Sequence, residues 1–392
     1  MQPVIPFTRP FISGNENRYL SQAIDSGSLA ADGYFTQRCT SLISDKFGVG
    51  KIVMTPSCTA ALEMAILLCD LGPGDEVILP SFTFASTANA VIAAHAKPIF
   101  VDIRPDTLNL NEELIEQAIT PNTKAIMPVH YGGIACEMGK IMDIAQRHQL
   151  RVIEDAAQAV NASYDGRWLG SIGHLGAFSF HHTKNYVCGE GGALCINESD
   201  LTSRADIIRE KGTNRIQFLR GDVDKYTWVN RGSSYVLSEI NCAFLYAQLE
   251  QLDWITERRR ETFERYLYHF TSIEEEGFIQ LPTIPESCRS NYHIFYLILR
   301  DVTARDGLMR FLKERGIEAA FHYVPLHSSP MGRALGYHFD DLPITQNLSS
   351  RLLRLPIYPQ LTEREQLRII DEVKSFFQYT GTDVLVRDLT VA

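Results

Sequence analysis

Four short segments bring reactive or ligand-binding side chains to places where a strand is expected to end. The first, TPSCTAAL at residues 55–62, leads small hydroxyl residues directly into a helix. Free backbone N–H groups and the helix dipole at such a start favour an anion such as phosphate. Taken alone, the segment is more typical of an N-cap without a ligand.

The second and third segments supply a carboxylate and an amine. VIEDAAQ at 152–158 is a buried strand that ends in acidic residues, among them Asp155. A carboxylate there can ligate a metal, act as a base, bind a protonated ring nitrogen or simply cap a helix. In SFHHTKN, Lys184 stands between an aromatic strand and the glycine-rich GEGGA, where burial would lower its pKa and make it a nucleophile able to form a Schiff base. The plain alternative is a surface lysine.

The neighbouring histidines do not predict a metal site. His181 and His182 are expected on opposite sides of a strand, and no carboxylate follows at ligand spacing. The fourth segment, PSFTF at 80–84, supplies Phe84 either to the core or to stacking on a flat ligand. A phosphate cradle, a lysine, a buried aspartate and a stacking aromatic are together the parts that hold pyridoxal 5′-phosphate.

The elements that must position these residues alternate along the chain. Apolar runs at 52–54, 77–79, 99–101, 125–127 and 152–153 predict strands, separated by helical patterns at 59–69, 87–95, 112–119 and 137–148. This order predicts an α/β fold with a mostly parallel sheet between helices, in which ligands bind at the carboxyl ends of the strands.

The second half of the chain has a different pattern. It predicts helices at 237–252, 254–270, 305–315 and 363–377 and a strand at 292–299. We therefore expect a large cofactor domain at 1–250, a smaller α+β domain at 251–379 and a tail at 380–392 with no assigned role.

Composition restricts the classes of protein further. The 392 residues carry a net charge of −10, which disfavours binding to nucleic acid or to an anionic membrane. No apolar stretch approaches the roughly 20 residues of a membrane span, and MQPVIPFTRPFISGNE has no signal-peptide core. Eight cysteines without a C-x-x-C pair predict reduced, mostly buried thiols. The expected location is the cytoplasm.

The motifs resemble those of the pyridoxal-phosphate sugar-nucleotide aminotransferases, a branch of the fold type I aspartate-aminotransferase superfamily. The resemblance extends from Ile5 to about Phe377 through PSCTAALEMA, ILPSFTFASTANA, PVHYGGIACEM, VIEDAAQA, SFHHTKN, GEGGA and FHYVPLH. It implies transfer of an amino group from L-glutamate to C4 of a dTDP-4-dehydro-6-deoxyhexose. The implied products are dTDP-4-amino-4,6-dideoxygalactose and 2-oxoglutarate, with the cofactor passing through pyridoxamine 5′-phosphate.

The resemblance also assigns roles. It makes Lys184 the Schiff-base lysine, Asp155 the partner of the pyridine nitrogen, Gln158 a neighbour of the ring hydroxyl and Phe84 the stacking aromatic. The implied phosphate-binding residues are Ser57, Cys58, Thr59 and Ser179. Cys58 departs from the glycine of many relatives, with little expected effect because backbone N–H groups do most of the binding. Asn241 matches an asparagine that reaches the phosphate of a neighbouring subunit, which implies a homodimer.

Substrate contacts are the least defined part of the prediction. Candidate substrate-binding residues are His322, Tyr323 and His327 in FHYVPLH and the cations Arg215 and Arg231. Four alternatives stay open: the gluco epimer as product, another keto-sugar nucleotide, a dehydratase of the same fold and an idle cofactor-binding sensor. Dehydratase relatives carry histidine at the position of Lys184, and a nicotinamide dehydrogenase is disfavoured because no G-x-G-x-x-G follows the first strand.

Overall fold

The computed structural model describes residues 3–388 of the chain, with side chains described for residues 3–378. Its strands are β1 (Lys51–Thr55), β2 (Glu76–Pro80), β3 (Lys97–Val101), β4 (Thr123–Ile126), β5 (Arg151–Asp155), β6 (Ser163–Tyr164), β7 (Arg167–Trp168), β8 (Leu175–Ser179), β9 (Gly192–Ile196), β10 (Ile279–Gln280), β11 (Cys288–Arg289), β12 (Phe295–Leu299) and β13 (Leu352–Leu355).

Helices alternate with these strands along the chain and pack against them. They are α1 (Glu16–Asp25), α2 (Tyr34–Phe47), α3 (Cys58–Leu68), α4 (Ala85–Ala93), α5 (Ile115–Ala118), α6 (Met138–His148), α7 (Thr202–Arg209), α8 (Arg215–Arg220), α9 (Glu239–Leu249), α10 (Leu252–Glu275), α11 (Val302–Glu314), α12 (Pro330–Ala334), α13 (Pro343–Arg351) and α14 (Glu363–Asp388).

A seven-stranded sheet forms the centre of the structure, in the order β1-β9-β8-β5-β4-β2-β3. The neighbours β3, β2, β4, β5 and β8 are parallel, and β9 runs antiparallel to both β8 and β1. The predicted α/β fold with a mostly parallel sheet is therefore confirmed.

Helices cover both faces of this sheet because alternate strand residues are apolar on both sides. In β1, Ile52 and Met54 pack in a cluster with α1, α2, α6 and α9, whereas Val53 packs in a second cluster with α3, α4 and α7. The five strands predicted between residues 52 and 153 are present, and α3, α4 and α6 lie where helical spacing predicted them. The pattern at 112–119 forms only a 3-10 turn at Glu112–Leu114 followed by the single turn of α5.

The C-terminal part has its own sheet and hydrophobic cluster. The sheet has the order β10-β12-β13, and its core joins Phe263 and Phe270 of α10 to Phe295 and other residues. Ile5 also belongs to this cluster, with its N–H donated to the Gly316 carbonyl at 2.8 Å. The start of the chain thus packs on the C-terminal part, and the predicted domain boundary at 250/251 stays a prediction.

The last helix is longer than predicted. It continues to Asp388, so residues 380–388 extend α14 instead of forming a separate tail, and residues 389–392 lie outside the described part. None of the helices within residues 3–388 has the length and apolar character needed to cross a membrane.

Candidate active site

A cavity of about 650 Å³ opens where the central strands end. Ten of the residues proposed from sequence line it: Ser57, Cys58, Thr59, Phe84, Asp155, Gln158, Ser179, Lys184, His322 and Tyr323. The first eight follow or end β1, β2, β5 and β8, as expected for a ligand site at the carboxyl ends of parallel strands. The last two come from a distant loop between α11 and α12.

Lys184 reaches the cavity on the loop after β8. The side chain is half-buried, and among residues 3–378 no group forms a hydrogen bond or ion pair with its amine. Burial lowers the pKa of the Lys184 amine, and the positive charge of Arg354 acts in the same direction, against the attraction of Asp155 and Cys58. An unpaired amine with a lowered pKa is chemically available as a nucleophile and as a base.

Asp155 ends β5 and is 5% exposed. Its Oδ2 accepts a hydrogen bond from Thr87 Oγ1 at 2.8 Å, and its Oδ1 accepts one from the Ala157 N–H at 3.1 Å. Burial raises the pKa of this carboxyl, whereas both hydrogen bonds and the charge of Lys184 lower it. Each oxygen keeps a lone pair for a further donor, such as a protonated ring nitrogen.

The start of α3 forms a cradle for an anion. Ser57 is the N-cap, since its Oγ accepts from the Ala60 N–H at 3.1 Å, and the same residue lines the cavity. Both interpretations of this segment, an N-cap and a cavity wall, therefore hold at once. Gly192 at the start of β9 packs on this turn so closely that a Cβ would lie 2.4 Å from the Ser57 carbonyl carbon and 2.5 Å from the Cys58 nitrogen. Only glycine fits there.

Aromatic residues enclose the middle of the cavity. The Phe84 side chain is 62% exposed and its ring centroid lies 6.3 Å from that of Tyr323. Gln158 Nε2 donates to the Tyr323 hydroxyl at 3.0 Å, and Gln158 Oε1 accepts from the Gly132 N–H at 2.8 Å. Flat walls of this kind suit an aromatic ligand.

Two cations in the cavity were not predicted from sequence. Arg259 on α10 donates to the carbonyls of Tyr292 and His293, and burial lowers the pKa of its guanidinium to about 10. Arg354 on β13 donates to the Phe321 carbonyl at 3.1 Å, and its buried Nε has no hydrogen-bond partner. No carboxylate of the described side chains forms an ion pair with either guanidinium, so neither positive charge is neutralised by this part of the chain.

His322 and His327 differ despite their similar place in the sequence. His322 lines the cavity, with Nδ1 3.0 Å from the Tyr131 hydroxyl, and burial lowers its pKa well below the usual value. His327 is fully buried outside the cavity lining, with Nδ1 2.7 Å from Ser81 Oγ and Nε2 3.2 Å from the Phe339 carbonyl. Both ring nitrogens of His327 are used within the fold, and its contact with substrate stays a prediction.

Three other predicted residues also lie outside this cavity. Arg215 is exposed at the start of α8, 3.5 Å from Glu210, and Arg231 is exposed on the loop before α9, so neither contacts a ligand in the cavity of its own chain. The Asn241 amide nitrogen donates to the carbonyls of Cys188 and Glu190.

The histidine pair after β8 also differs from expectation. The ring centroids of His181 and His182 lie 4.1 Å apart beyond the end of the strand, so they do not point to opposite sides of it. Within residues 3–378, no group of three or more His, Cys, Asp or Glu side chains has an arrangement suited to a metal ion.

This combination of fold and site has close parallels among known proteins. The profile of the DegT/DnrJ/EryC1/StrS aminotransferase family matches residues 10–374. The spore coat polysaccharide biosynthesis protein SpsC of Bacillus subtilis is 34% identical over 378 residues, which cover 94% of this chain and 96% of that protein.

Solved structures agree with this match. DesV from S. venezuelae superposes with a TM-score of 0.86 at 31% identity, covering 96% of this chain and 99% of that one. The putative sugar aminotransferase Spr1654 from Streptococcus pneumoniae, in its form with pyridoxal phosphate, superposes with a TM-score of 0.89 at 25% identity, covering 96% and 99% of the two chains.

The fold and the cavity thus define a fold type I aminotransferase that uses pyridoxal phosphate. The chain belongs to the DegT/DnrJ/EryC1/StrS aminotransferase family. It is a sugar aminotransferase, with an amino donor and a keto-sugar as substrates. The resemblance, fold class and cofactor predicted from the sequence are confirmed.

Proposed function

We propose that the protein transfers the amino group of L-glutamate to C4 of dTDP-4-dehydro-6-deoxyglucose, giving dTDP-4-amino-4,6-dideoxygalactose and 2-oxoglutarate. The observation that carries the transaminase mechanism is that Lys184, Asp155 and the start of α3 meet in one cavity. The dTDP-sugar assignment rests on the motif resemblance, densest in FHYVPLH, and is compatible with the cations of the cavity.

The residues of the cavity fit pyridoxal phosphate. The unpaired Lys184 amine suits its aldehyde, the free N–H groups of Cys58 and Thr59 at the start of α3 suit its phosphate, and the Asp155 carboxylate suits its ring nitrogen. Ser57 and Ser179 add hydroxyl groups to the phosphate side. When bound, the cofactor supplies an electron sink and carries the amino group between the two substrates.

Lys184 has the central role in this mechanism. Its amine would hold the cofactor as a Schiff base, and as a free amine it would take the proton from the substrate α-carbon. The lowered pKa keeps a larger fraction of the amine in the basic form near neutral pH. The Asp155 carboxylate holds a proton on the ring nitrogen, while Phe84 and Gln158 orient the ring.

Arg354 provides the carboxylate partner that glutamate requires. An α-carboxylate is bonded directly to the carbon that carries the amino group, so its partner must lie near Lys184. Arg354 meets this condition, because it lines the same cavity as Lys184, and its positive charge lowers the pKa of the Lys184 amine. The diphosphate of a nucleotide sugar lies on the far side of the sugar ring from C4 and would reach a more distant part of the cavity.

His322 and Tyr323 are the proposed sugar contacts. Both line the cavity, and burial keeps His322 neutral and Tyr323 protonated, so both can hydrogen-bond hydroxyl or keto oxygens without a charge. The axial amine of the galacto product requires one particular face of the sugar to meet the cofactor. The gluco epimer and another keto-sugar nucleotide are the alternatives that the test below separates.

We also propose that the active unit is a homodimer with active sites at the subunit interface. Five large apolar side chains are exposed on the segment 215–231: Phe218, Leu219, Tyr226, Trp228 and Val229. A surface of this kind is typical of a protein interface. In this proposal Asn241 reaches the site of the neighbouring subunit, and Arg215 and Arg231 stay candidates for substrate binding. The free cysteines fit a reducing compartment, so we propose a cytoplasmic enzyme that supplies a deoxyamino sugar for a surface polysaccharide.

The proposal is tested by incubating the enzyme with dTDP-4-dehydro-6-deoxyglucose and ¹⁵N-labelled L-glutamate. We expect NMR of the product to find ¹⁵N at C4 in the axial orientation. An equatorial amine would identify the gluco epimer and contradict the galacto assignment. Recovery of the sugar without ¹⁵N would contradict dTDP-4-dehydro-6-deoxyglucose as the substrate and would favour another keto-sugar nucleotide.

Two rival functions predict different results. An idle sensor would bind the cofactor but give no change of visible absorbance with glutamate. A dehydratase would release water from the sugar without consuming glutamate. The presence of Lys184, rather than histidine, disfavours the dehydratase.

A further inference from the structure

Two buried threonines connect the start of α4 to Asp155. Thr87 Oγ1 donates to Asp155 Oδ2 at 2.8 Å, and Thr83 Oγ1 lies 2.8 Å from Thr87 Oγ1. Thr83 is 2% exposed and Thr87 is 0% exposed, so water does not substitute for either hydroxyl. We call Thr83 and Thr87 the threonine pair.

The direction of these hydrogen bonds depends on the charge of Asp155. Each hydroxyl has one proton, and an ionised carboxylate can only accept. The Thr87 proton therefore points to Asp155, and the Thr83 proton points to Thr87. A neutral Asp155 carboxyl would instead donate its own proton, which would compete with the Thr87 proton for the space between the two oxygens. The threonine pair thus favours the ionised form, which burial alone disfavours.

The helix geometry explains why two threonines can act on one carboxylate. Phe84 is the N-cap of α4, so Thr83 and Thr87 lie on either side of the cap and four residues apart, a spacing that brings side chains to the same face. The intervening Phe84 is directed to the cavity. The first turn of α4 adds the positive end of its dipole near Asp155.

Other charges near Asp155 do not replace the threonine pair. The charge of Lys184 also acts on this carboxylate, and the His130 backbone N–H donates to the Asp155 carbonyl at 3.1 Å. His130 is already hydrogen-bonded to Glu154 at 2.9 Å. The Lys184 amine forms its bond with the cofactor in the proposed enzyme, which removes it as a fixed counter-charge. Thr87 is the side-chain donor to Asp155 that the cofactor leaves in place.

We propose that Thr87, oriented by Thr83, is a positioning residue that keeps the Asp155 carboxylate ionised and directed at the ring nitrogen of pyridoxal phosphate. The inference rests on the proposed role of Asp155. It extends the cofactor site to two residues that contribute through Asp155.

The test compares four variants of the full-length holoenzyme. Thr87→Val removes the hydroxyl at nearly constant volume, Thr87→Ser keeps it, and Thr83→Val removes the outer hydroxyl. Thr262→Val is the matched control, because Thr262 is also buried but its hydroxyl bonds only to the Arg258 carbonyl of its own helix, 3.2 Å away. Each variant is loaded with ¹⁵N-labelled pyridoxal phosphate, and the ring-nitrogen chemical shift is followed against pH.

The expected results follow from the loss of one hydrogen bond to a charge. In Thr87→Val we expect the pKa of the ring nitrogen to fall by about one unit or more and the glutamate half-reaction to slow roughly 10- to 100-fold. Thr83→Val should have a smaller effect, about three- to tenfold on the rate, because Asp155 keeps its direct donor. Thr87→Ser and Thr262→Val should stay within about threefold of the wild type.

Three results would overturn the proposal. The first is an unchanged ring-nitrogen pKa in folded, cofactor-loaded Thr87→Val. The second is a Thr87→Ser variant whose ring-nitrogen pKa and half-reaction rate fall as far as those of Thr87→Val. The third is an equally large change in Thr262→Val. If Thr87→Val does not fold, Thr83→Val decides, and an unchanged ring-nitrogen pKa there overturns the proposal. The NMR measurement needs only bound cofactor and no sugar. If the proposed sugar reaction is wrong, the wild-type enzyme will show a normal ring-nitrogen signal but will not aminate the sugar.

Discussion

Replacing Arg354 should weaken the amino-donor half of the reaction selectively. The guanidinium carbon of Arg354 lies 4.7 Å from the Phe7 ring centroid, and the group donates to the Phe321 carbonyl. No carboxylate of the described side chains pairs with it, so Arg354→Gln leaves no unpaired acid behind. The variant removes a cation from the cavity without creating a new buried charge, and its effect on glutamate is therefore simple to interpret.

The magnitude follows from the bonds that a carboxylate would lose. A hydrogen bond between charged groups contributes about 1.5–3 kcal/mol, which corresponds to a rise of roughly 10- to 100-fold in the KM for glutamate. Arg354→Lys keeps the charge but loses the planar fork, so its effect should be intermediate. Removing the charge should also raise the pKa of Lys184, because Arg354 lowers it. The acid limb of the pH–rate profile should therefore move to higher pH in Arg354→Gln.

The assay follows cofactor absorbance during the half-reaction with glutamate. Arg351→Gln is a matched control, since Arg351 lies three residues away, donates to the Leu299 carbonyl at 3.1 Å and does not line the cavity. It should leave the KM for glutamate within about threefold. An unchanged KM in folded Arg354→Gln, or an equal rise with Arg351→Gln, would refute the assignment of the donor carboxylate to Arg354.

Three further variants test the electrostatics and packing of the site. Because the folded Lys184 amine has a lowered pKa, the unfolded chain binds more protons and stability rises with pH. Lys184→Met should therefore stabilise the apoprotein at pH 7, with an advantage in urea unfolding that shrinks as the pH approaches ~10.4. Gly192→Ala would place a Cβ 2.5 Å from the Cys58 nitrogen. It should lower the free energy of unfolding by about 1–3 kcal/mol and weaken cofactor binding in a fluorescence titration. Gly72→Ala is the control and should do neither, because its Cβ would meet no atom within 4 Å. Glu154→Ala leaves three buried N–H groups without an acceptor and should lower the free energy of unfolding by about 3–5 kcal/mol, and a loss below 1 kcal/mol would contradict this view of the network.

The sequence predicts the part of the site that lies directly after strands. Strand ends in a parallel sheet converge whatever the details of packing, so the sequence alone places Asp155, Gln158 and Lys184 together. Their predicted chemistry depended on residue type, which is visible in the sequence.

Long-range contacts explain what the sequence did not predict. Arg354 reaches the cavity only because β13 pairs with β12 and Ala320 bridges to the same strand. In the sequence it is one arginine in an apolar run. Similarly, His327 resembles His322 until the hydrogen bond to Ser81, 246 residues away, fixes it inside the fold.

The N-terminal helices illustrate the same limit. The first N–H groups of α2, those of Phe35 and Thr36, are capped by Glu239, each at 2.8 Å, from more than 200 residues along the chain. Local capping signals at Gly33 are absent because the acceptor comes from α9. A helix stabilised in this way has a weak local pattern, and its start is visible only in the folded protein.

The central claim is that the cavity holds pyridoxal phosphate through Lys184. It is tested most directly by reducing the holoenzyme with borohydride, which makes the bond between the cofactor and its lysine permanent, and by mapping the modified peptide with mass spectrometry. The account predicts one phosphopyridoxyl group, on Lys184, and none in Lys184→Ala. A modified lysine elsewhere, or no modified peptide from holoenzyme that aminates its sugar, would contradict it.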